Sequence, residues 1–334
     1  MAQTRLSDVA RLAGVSTGSV SNFLNRPDRV NAETARRVSG AIERLGYVPN
    51  TTARQLRRGQ SEAIGFVITD ISNPFFTTLA TGAAQAAREA GYALLLATSA
   101  DDESGQSQYL DVFENRNLDG VLVTPARTTP NLDKLRANGT KVVLVDRESD
   151  DYCSVSVDDV AGGLAATKHL IDVGKRRLMF VGGERRIQQM RDRVSGSRAA
   201  VLAAGGDVTL VEEHRETLSI DVGREIGAEI LALPPARRPD GVVAANDLVA
   251  LGMMQVLSGA LSIPDDIAIV GYDDIDFAAA SLIPLTTVRQ PTRELGYRGA
   301  RMLIAELTET GEHEHSHVVF QPELVVRAST SRSA

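Results

Sequence analysis

Few residues of this 334-residue chain could carry covalent chemistry. There is one cysteine, Cys153, and there are five histidines, of which His313, His315 and His317 alternate in the string GEHEHSHVVF. No nucleophile, base and orienting group can be assembled from so small a set. Gly14-Val15-Ser16-Thr17-Gly18 fits the G-x-S-x-G pattern of serine hydrolases. That pattern sets its serine between a strand and a helix, whereas the residues before Gly14 have helical spacing. Gly182-Gly183 lacks the spacing and the following lysine of a phosphate loop. Asp273, Asp274 and Asp276 could bind a metal, but carboxylates after a strand are usually solvated loop groups. On a strand, the alternating histidines would share a face and could hold zinc weakly. Catalysis and a bound cofactor are not expected.

Charge says more than catalysis does. Residues 1–60 carry ten arginines, no lysine and four acids, a net of +6, while the whole chain is at −7 and the remainder therefore at −13. A basic head on an acidic body suggests that a polyanion binds at one end only. Hydrophobic content of 43% and charge of 24% are ordinary for a globular protein. The length calls for two or three domains. No apolar run is long enough for a bilayer, and the N-terminus lacks the apolar core of a signal peptide. A single cysteine excludes an intrachain disulfide, so a reducing, cytoplasmic location is the expectation.

The elements that would position these charges can be read from spacing. Leu6, Val9, Ala10, Leu12 and Ala13 recur with helical period, and Gly14 breaks the helix. Ser16 can cap a second short helix, with Val20, Phe23 and Leu24 on one side and Thr17, Ser21 and Asn22 on the other. A third helix is predicted over residues 32–45, capped by Asn31, with Val38, Ile42 and Leu45 inward. Two short helices joined at a glycine, with a small polar face on the second, make a helix-turn-helix. Beyond Pro49, Asn50 can cap a further short helix with Thr52, Ala53 and Leu56 on one face; alone it would be marginal in water.

From Ala63 the texture changes to alternating strands and helices. AIGFVITD, YALLLATS, DGVLVTP and KVVLVD read as buried strands, and CSVSVD, RLMFVGG, DGVVAAN, IAIVGYDD and PLTTVRQP continue the pattern as a second unit, ending in a helix near residues 293–309. The alternation predicts parallel, doubly wound sheets.

The strings LSDVARLAGVSTGSVSNFLN and ETARRVSGAIERLGYVPNTTARQLRRGQSEAIGFVITDISNPFF resemble the lac repressor family of bacterial transcription regulators, over essentially the whole chain. The resemblance implies a helix-turn-helix domain at 1–48, a hinge helix and linker at 49–60, and a two-lobed α/β body like the periplasmic binding proteins at 61–330. It makes Thr17, Gly18 and Asn22 the base readers, Ser21, Asn25 and Arg29 phosphate contacts, and Asn50, Ala53 and Leu56 the hinge, with Leu56 a wedge for the minor groove; the cap Ser16 is counted with the DNA-binding residues. Two readers depart from the family pattern. Gly18 offers no side chain, and Asn22 suits adenine where arginine would suit guanine.

In the body, crossings near residues 146–157 and 285–290 would join the lobes, and a ligand would sit outside the strands' carboxyl ends. Asn73, Phe75, Arg147, Arg193, Leu218, Asn246 and Asp273 are the candidate effector residues. Leu218 stands where many relatives carry an aromatic that stacks on the ligand, and the chain has no tryptophan, so a sugar or sugar phosphate is favoured over a flat base. The histidine string falls in a loop that is variable and exposed in the family, so no metal is expected. The tail ASTSRSA has no leucine heptads, which points to a homodimer rather than a helical-bundle tetramer. The resulting expectation is a regulator, most often a repressor, binding pseudo-palindromic double-stranded operator DNA under control of a small ligand, with no membrane partner. The alternative is a solute-binding protein of a transport system.

Overall fold

The computed structural model describes residues 4–47, 61–99, 103–125, 130–309 and 313–331. The chain divides into two compact units, residues 1–60 and 61–334, and each is taken by itself.

The head has three helices: α1 (Leu6–Ala13), α2 (Thr17–Asn25) and α3 (Ala32–Leu45). Their apolar stripes meet in a small core of Val9, Ala10, Ala13, Val20, Val38 and Ala41, with Phe23, Leu24 and Ile42 half-buried around it. Leu12, read as part of the stripe, is instead 42% exposed, because its position turns away from α3. Gly14 ends α1 in the left-handed region at φ 62°, where other residues are strained. A side chain there would also strike Arg37, which reaches from α3 to donate to the carbonyls of Ala13 (2.6 Å) and Gly14 (2.6 Å). Arg37 thus caps the C-terminal end of α1, where a cation is favoured. The oxygens of Ser16 and Asn31 accept from the amides of Ser19 (3.0 Å) and Thr34 (2.8 Å), so both expected caps are made. Ser16 follows a helix and caps another, which removes the hydrolase reading. The short helix expected at 49–60, with Asn50, Ala53 and Leu56, lies outside the described residues.

The body holds two six-stranded sheets. The first has the order β11-β5-β4-β3-β1-β2, with β1 (Ala63–Ile68), β2 (Ala93–Thr98), β3 (Gly120–Val123), β4 (Lys141–Val145), β5 (Cys153–Val157) and β11 (His317–Phe320). The second has the order β12-β10-β9-β8-β6-β7, with β6 (Arg177–Gly182), β7 (Thr209–His214), β8 (Gly241–Ala244), β9 (Ala268–Asp273), β10 (Thr286–Arg289) and β12 (Glu323–Val325). All pairings are parallel except β10 with β12. The helices that matter for the site are α4 (Pro74–Glu89), α7 (Asp159–Asp172), α8 (Gln188–Ala204), α9 (Ile220–Ala232) and α10 (Asp247–Leu257). Between and after them lie α5 (Glu103–Asn115), α6 (Pro130–Ala137), α11 (Asp276–Ala280) and α12 (Thr292–Thr308).

The chain order differs from a simple repeat in two ways. CSVSVD, expected to open the second unit, is β5 and pairs with β4 in the first sheet. The last helix, α12, packs on α4 and so also belongs to the first lobe. The lobes are therefore joined by three crossings: after β5, between β10 and α12, and between β11 and β12. The third was not expected. No helix among the described residues is long and apolar enough to cross a membrane.

Candidate functional site

The carboxyl ends of both sheets face a cavity of about 320 Å³. Each sheet reverses its winding there, β1 against β3 in one and β6 against β8 in the other, which opens a crevice in such folds. Its lining includes the apolar residues Phe75, Phe76, Pro125, Ile187, Met190 and Leu218. It also includes the polar and charged residues Asn73, Asp146, Gln189, Arg193, Asn246 and Asp273.

Arg193 lies on the buried side of α8, 4% exposed. Its Nε donates to Asp159 Oδ1 at 2.7 Å and its Nη1 to the Ala245 carbonyl at 2.6 Å. Its guanidinium stacks 3.6 Å from the centre of the Tyr272 ring, and the Tyr272 hydroxyl donates to the same Asp159 oxygen at 2.9 Å. Nη2 has no hydrogen-bond partner among the described residues. Burial works against the charge, but Asp159, Tyr272, Asp273 and Asp146 outweigh it and raise the Arg193 pKa.

Asp146 follows β4 with φ 61°, and Asp273 ends β9 with φ 109°, both in the left-handed region. Such backbone recurs at binding sites, where it re-aims a side chain. Gln189 Nε2 donates to Asp146 Oδ2 at 3.1 Å and also to its carbonyl. Gln290 Nε2 donates to Asp273 Oδ1 at 2.8 Å, and the Asn73 amide also bonds this carboxylate. Burial first, and then Asp159, push the Asp146 carboxyl up to about 8. Burial likewise pushes Asp273 up to about 7, against the pull of Arg193. Asp146, Asp159 and Asp273 share one buried guanidinium, which cannot balance them all. Asp146 Oδ1, Gln189 Oε1 and Gln290 Oε1 are buried with no partner among the described residues.

Of the expected effector residues, Asn73, Phe75, Arg193, Leu218, Asn246 and Asp273 all line the cavity. Arg147 does not; the turn at Asp146 brings that aspartate there instead, and Arg147 is half-buried with Arg191 nearby. Asn73 and Asn246 also cap helices, accepting from the amides of Phe75 (3.0 Å) and Val249 (2.9 Å). The sequence reading missed Asp146, Gln189, Asp159, Tyr272 and Gln290. Asp146 ends the strand KVVLVD, so the strand-end rule that selected Arg147 could have found it one residue earlier.

In the head, Thr17, Gly18 and Asn22 of α2 and its cap Ser16 are exposed, while Val20 of the same helix is buried. Ser21 is half-buried, and Arg29 is exposed in the turn before α3. Asn25 ends α2, with its side chain outside what the structure describes. The expected base readers Thr17, Gly18 and Asn22 are thus solvent-exposed on the second helix, as a helix entering the major groove would require.

Residues 5–50 match the model of the bacterial regulatory proteins of the lacI family, and residues 167–330 match that of a periplasmic binding protein-like domain. The ribose operon repressor of Escherichia coli (strain K12) is 35% identical over 309 residues, 91% of this chain and 93% of that protein. The chain belongs to the lacI family. A solved transcriptional regulator in complex with cellobiose, CelR, is 30% identical with a TM-score of 0.73, covering 98% of this chain and all of that one. A lacI-family regulator from Enterococcus faecium with bound ribose is 28% identical with a TM-score of 0.72, over 81% of this chain and 100% of its own. As a lacI-family member the protein is a sequence-specific DNA-binding regulator with a ligand-binding body.

Proposed function

We propose that this regulator is a repressor whose operator affinity is set by a neutral sugar of monosaccharide size bound between the lobes. The observation that carries the reading is a cavity lined by both apolar and hydrogen-bonding side chains. A sugar ring offers hydroxyls around its edge and C–H groups on its faces. Asp146, Asp273 and Arg193 Nη2 suit the edge, while Phe75, Phe76 and Leu218 suit a face. At about 320 Å³ the cavity lies at the small end of ligand sites. The carboxylates around Arg193 disfavour an added anion, so a neutral sugar fits better than a sugar phosphate. The ribose operon repressors among the relatives, and the ribose held by a structural neighbour, agree with this class.

On the DNA side, Thr17, Gly18 and Asn22 meet base edges, Ser16, Ser21, Asn25 and Arg29 fix register on phosphates, and Asn50, Ala53 and Leu56 form the hinge that opens the minor groove. The functional boundaries remain 1–48, 49–60 and 61–330. A homodimer supplies the second half-site reader. Exposed Phe277 and Leu282 in the second lobe, 57% and 100% accessible, give it an apolar contact face.

The test is fluorescence anisotropy on labelled DNA from upstream of the protein's own gene, with neutral pentoses and hexoses and their phosphates. Specific binding that one neutral sugar weakens is the expected result. Absence of specific binding overturns the DNA reading, and a response to phosphates alone overturns the neutral-sugar reading.

A further inference from the structure

The amino end of β5 carries a cluster that the regulator's chemistry does not use. Cys153, the first residue of β5, is buried, and its Sγ lies 3.0 Å from His313 Nε2 and 3.8 Å from His315 Nδ1. The three atoms lie within 4.8 Å of one another. Glu306 of α12 brings a fourth group: its Oε2 is 3.8 Å from His313 Nε2. Glu306 is 8% exposed, and this oxygen is buried without a hydrogen-bond partner among the described residues.

These atoms are all electron-pair donors. A sulfur, two ring nitrogens and a carboxylate oxygen converge, and the thiol proton can satisfy only one of them. Cys153 and Glu306 Oε2 are buried and His313 is half-buried, while His315 is exposed; a cation would satisfy the four donors together, and for the buried Glu306 oxygen an unpaired state is costly. The surroundings agree. His313 Nδ1 pairs with Glu309 Oε2 at 3.0 Å, which puts its proton there and turns the Nε2 lone pair towards the cluster, the orientation carboxylates impose on metal-binding histidines. The Ser316 amide donates to the sulfur at 3.4 Å, as suits a thiolate. Lys141 Nζ, 3.5 Å away, takes the other Glu306 oxygen. His317, the third of the alternating histidines, bonds Ser154 Oγ at 3.0 Å and stands outside the cluster.

We propose that Cys153, His313 and His315 bind a zinc ion, with the Glu306 carboxylate beside it. Thiolate and carboxylate together neutralise a divalent cation, and the Sγ–N separations of 3.0 and 3.8 Å bracket the edge of a tetrahedral site with thiolate and imidazole ligands. The ion would pin β11 to β5 at their amino ends, while the effector cavity lies at the carboxyl ends of the sheet. It is a clamp on the edge strand that leads into the third crossing.

The experiment uses the full, untagged, reduced protein and cobalt(II) as a spectroscopic stand-in, followed by zinc competition. One cobalt per chain is expected, with tetrahedral ligand-field bands and a thiolate-to-cobalt charge-transfer band that zinc abolishes. Zinc should raise the Tm of the wild type. Cys153→Ser and His315→Ala should each lose the charge-transfer band or at least tenfold in affinity, and lose the Tm rise, with unchanged circular dichroism. Absence of the thiolate band, or binding equal in wild type and both variants, overturns the proposal. Should a variant fail to fold, the thiolate band of the wild-type complex alone decides.

Discussion

Arg193 donates through Nε to Asp159 and through Nη1 to Ala245, so only the remaining edge of its guanidinium is left for the proposed ligand. Removing it leaves Asp159 buried without its cation, and breaking such a pair typically costs about 3–5 kcal/mol. Arg193→Ala is therefore expected to lower Tm sharply as well as to lose the ligand, read by thermal melting beside the anisotropy assay. Asp273→Asn is the cleaner probe. It keeps shape and an oxygen for Gln290, so it should fold normally and bind operator, yet lose the sugar response. A full response in that variant removes Asp273 from the site.

The same carboxyls predict a proton count. At neutral pH Asp146 and Asp273, raised to about 8 and about 7, hold protons part of the time. Sugar hydroxyls that donate to them favour the ionised form and lower both values. Binding then releases protons, and affinity rises with pH until about 8, where both groups are already ionised. Calorimetry in two buffers of different ionisation enthalpy measures this release; proton uptake on binding contradicts it. Stability of the free protein runs the other way. The folded pKa of Asp146 lies above its unfolded value, so the group's contribution is complete at acid pH and is lost as pH climbs towards about 8. Asp146→Asn mimics the protonated acid. Relative to the wild type, its Tm should be lowest near pH 3, below the unfolded pKa, and the difference should grow in its favour as pH rises to 8.5.

At the scale of elements, the cavity depends on how closely α7 lies on α8. A Cβ on Gly163 would stand 2.0 Å from the Arg193 carbonyl oxygen, and one on Gly196 2.0 Å from that of Val160. Only bare backbone permits this approach, and the approach brings Asp159 of α7 to Arg193 of α8. Gly163→Ala is expected to cost roughly 1–3 kcal/mol by overpacking and to weaken sugar binding by displacing that pair. Unchanged Tm and unchanged response would mean that the helices can part without consequence.

This contact shows what spacing could and could not reveal. The central strands were legible because they are buried on both faces and read as unbroken apolar runs, as in Gly120–Val123 and Gly241–Ala244. β7, β11 and β12 were missed because they sit at sheet edges, half-exposed and interrupted by Glu212, Glu213, His317 and Glu323. β5 was seen as a strand but placed in the wrong lobe, since its partner is decided by tertiary pairing and not by its own residues. The same limit hid Asp159, which reaches Arg193 across 34 positions of chain. In the head, the caps at Ser16 and Asn31 are local chemistry and were readable, whereas Arg37, one of ten arginines in the charge count, caps α1 from 24 positions away.

For the molecule as a whole, the basic head and acidic body make DNA binding strongly salt-dependent. Arg37 is committed inside the head, so fewer than ten arginines per chain remain for phosphate. If a dimer neutralises about eight phosphates, log affinity falls against log salt with a slope of roughly −7. Anisotropy titrations between low and physiological salt give the slope directly, and a value shallower than about −2 would refute phosphate-driven binding.

The three crossings also set an order of assembly during synthesis. The first lobe is encoded ahead of most of the second, yet α12 and β11, which close it, leave the ribosome near the end of translation. Until then the side of α4 bearing Leu79 and Ala83 has no α12 to cover it. At typical elongation rates that wait lasts on the order of ten seconds or more, long enough for a chaperone to be the first partner this surface meets. A premature stop soon after β10 would therefore not trim a tail. It would release a chain with its second sheet nearly complete and its first lobe permanently open.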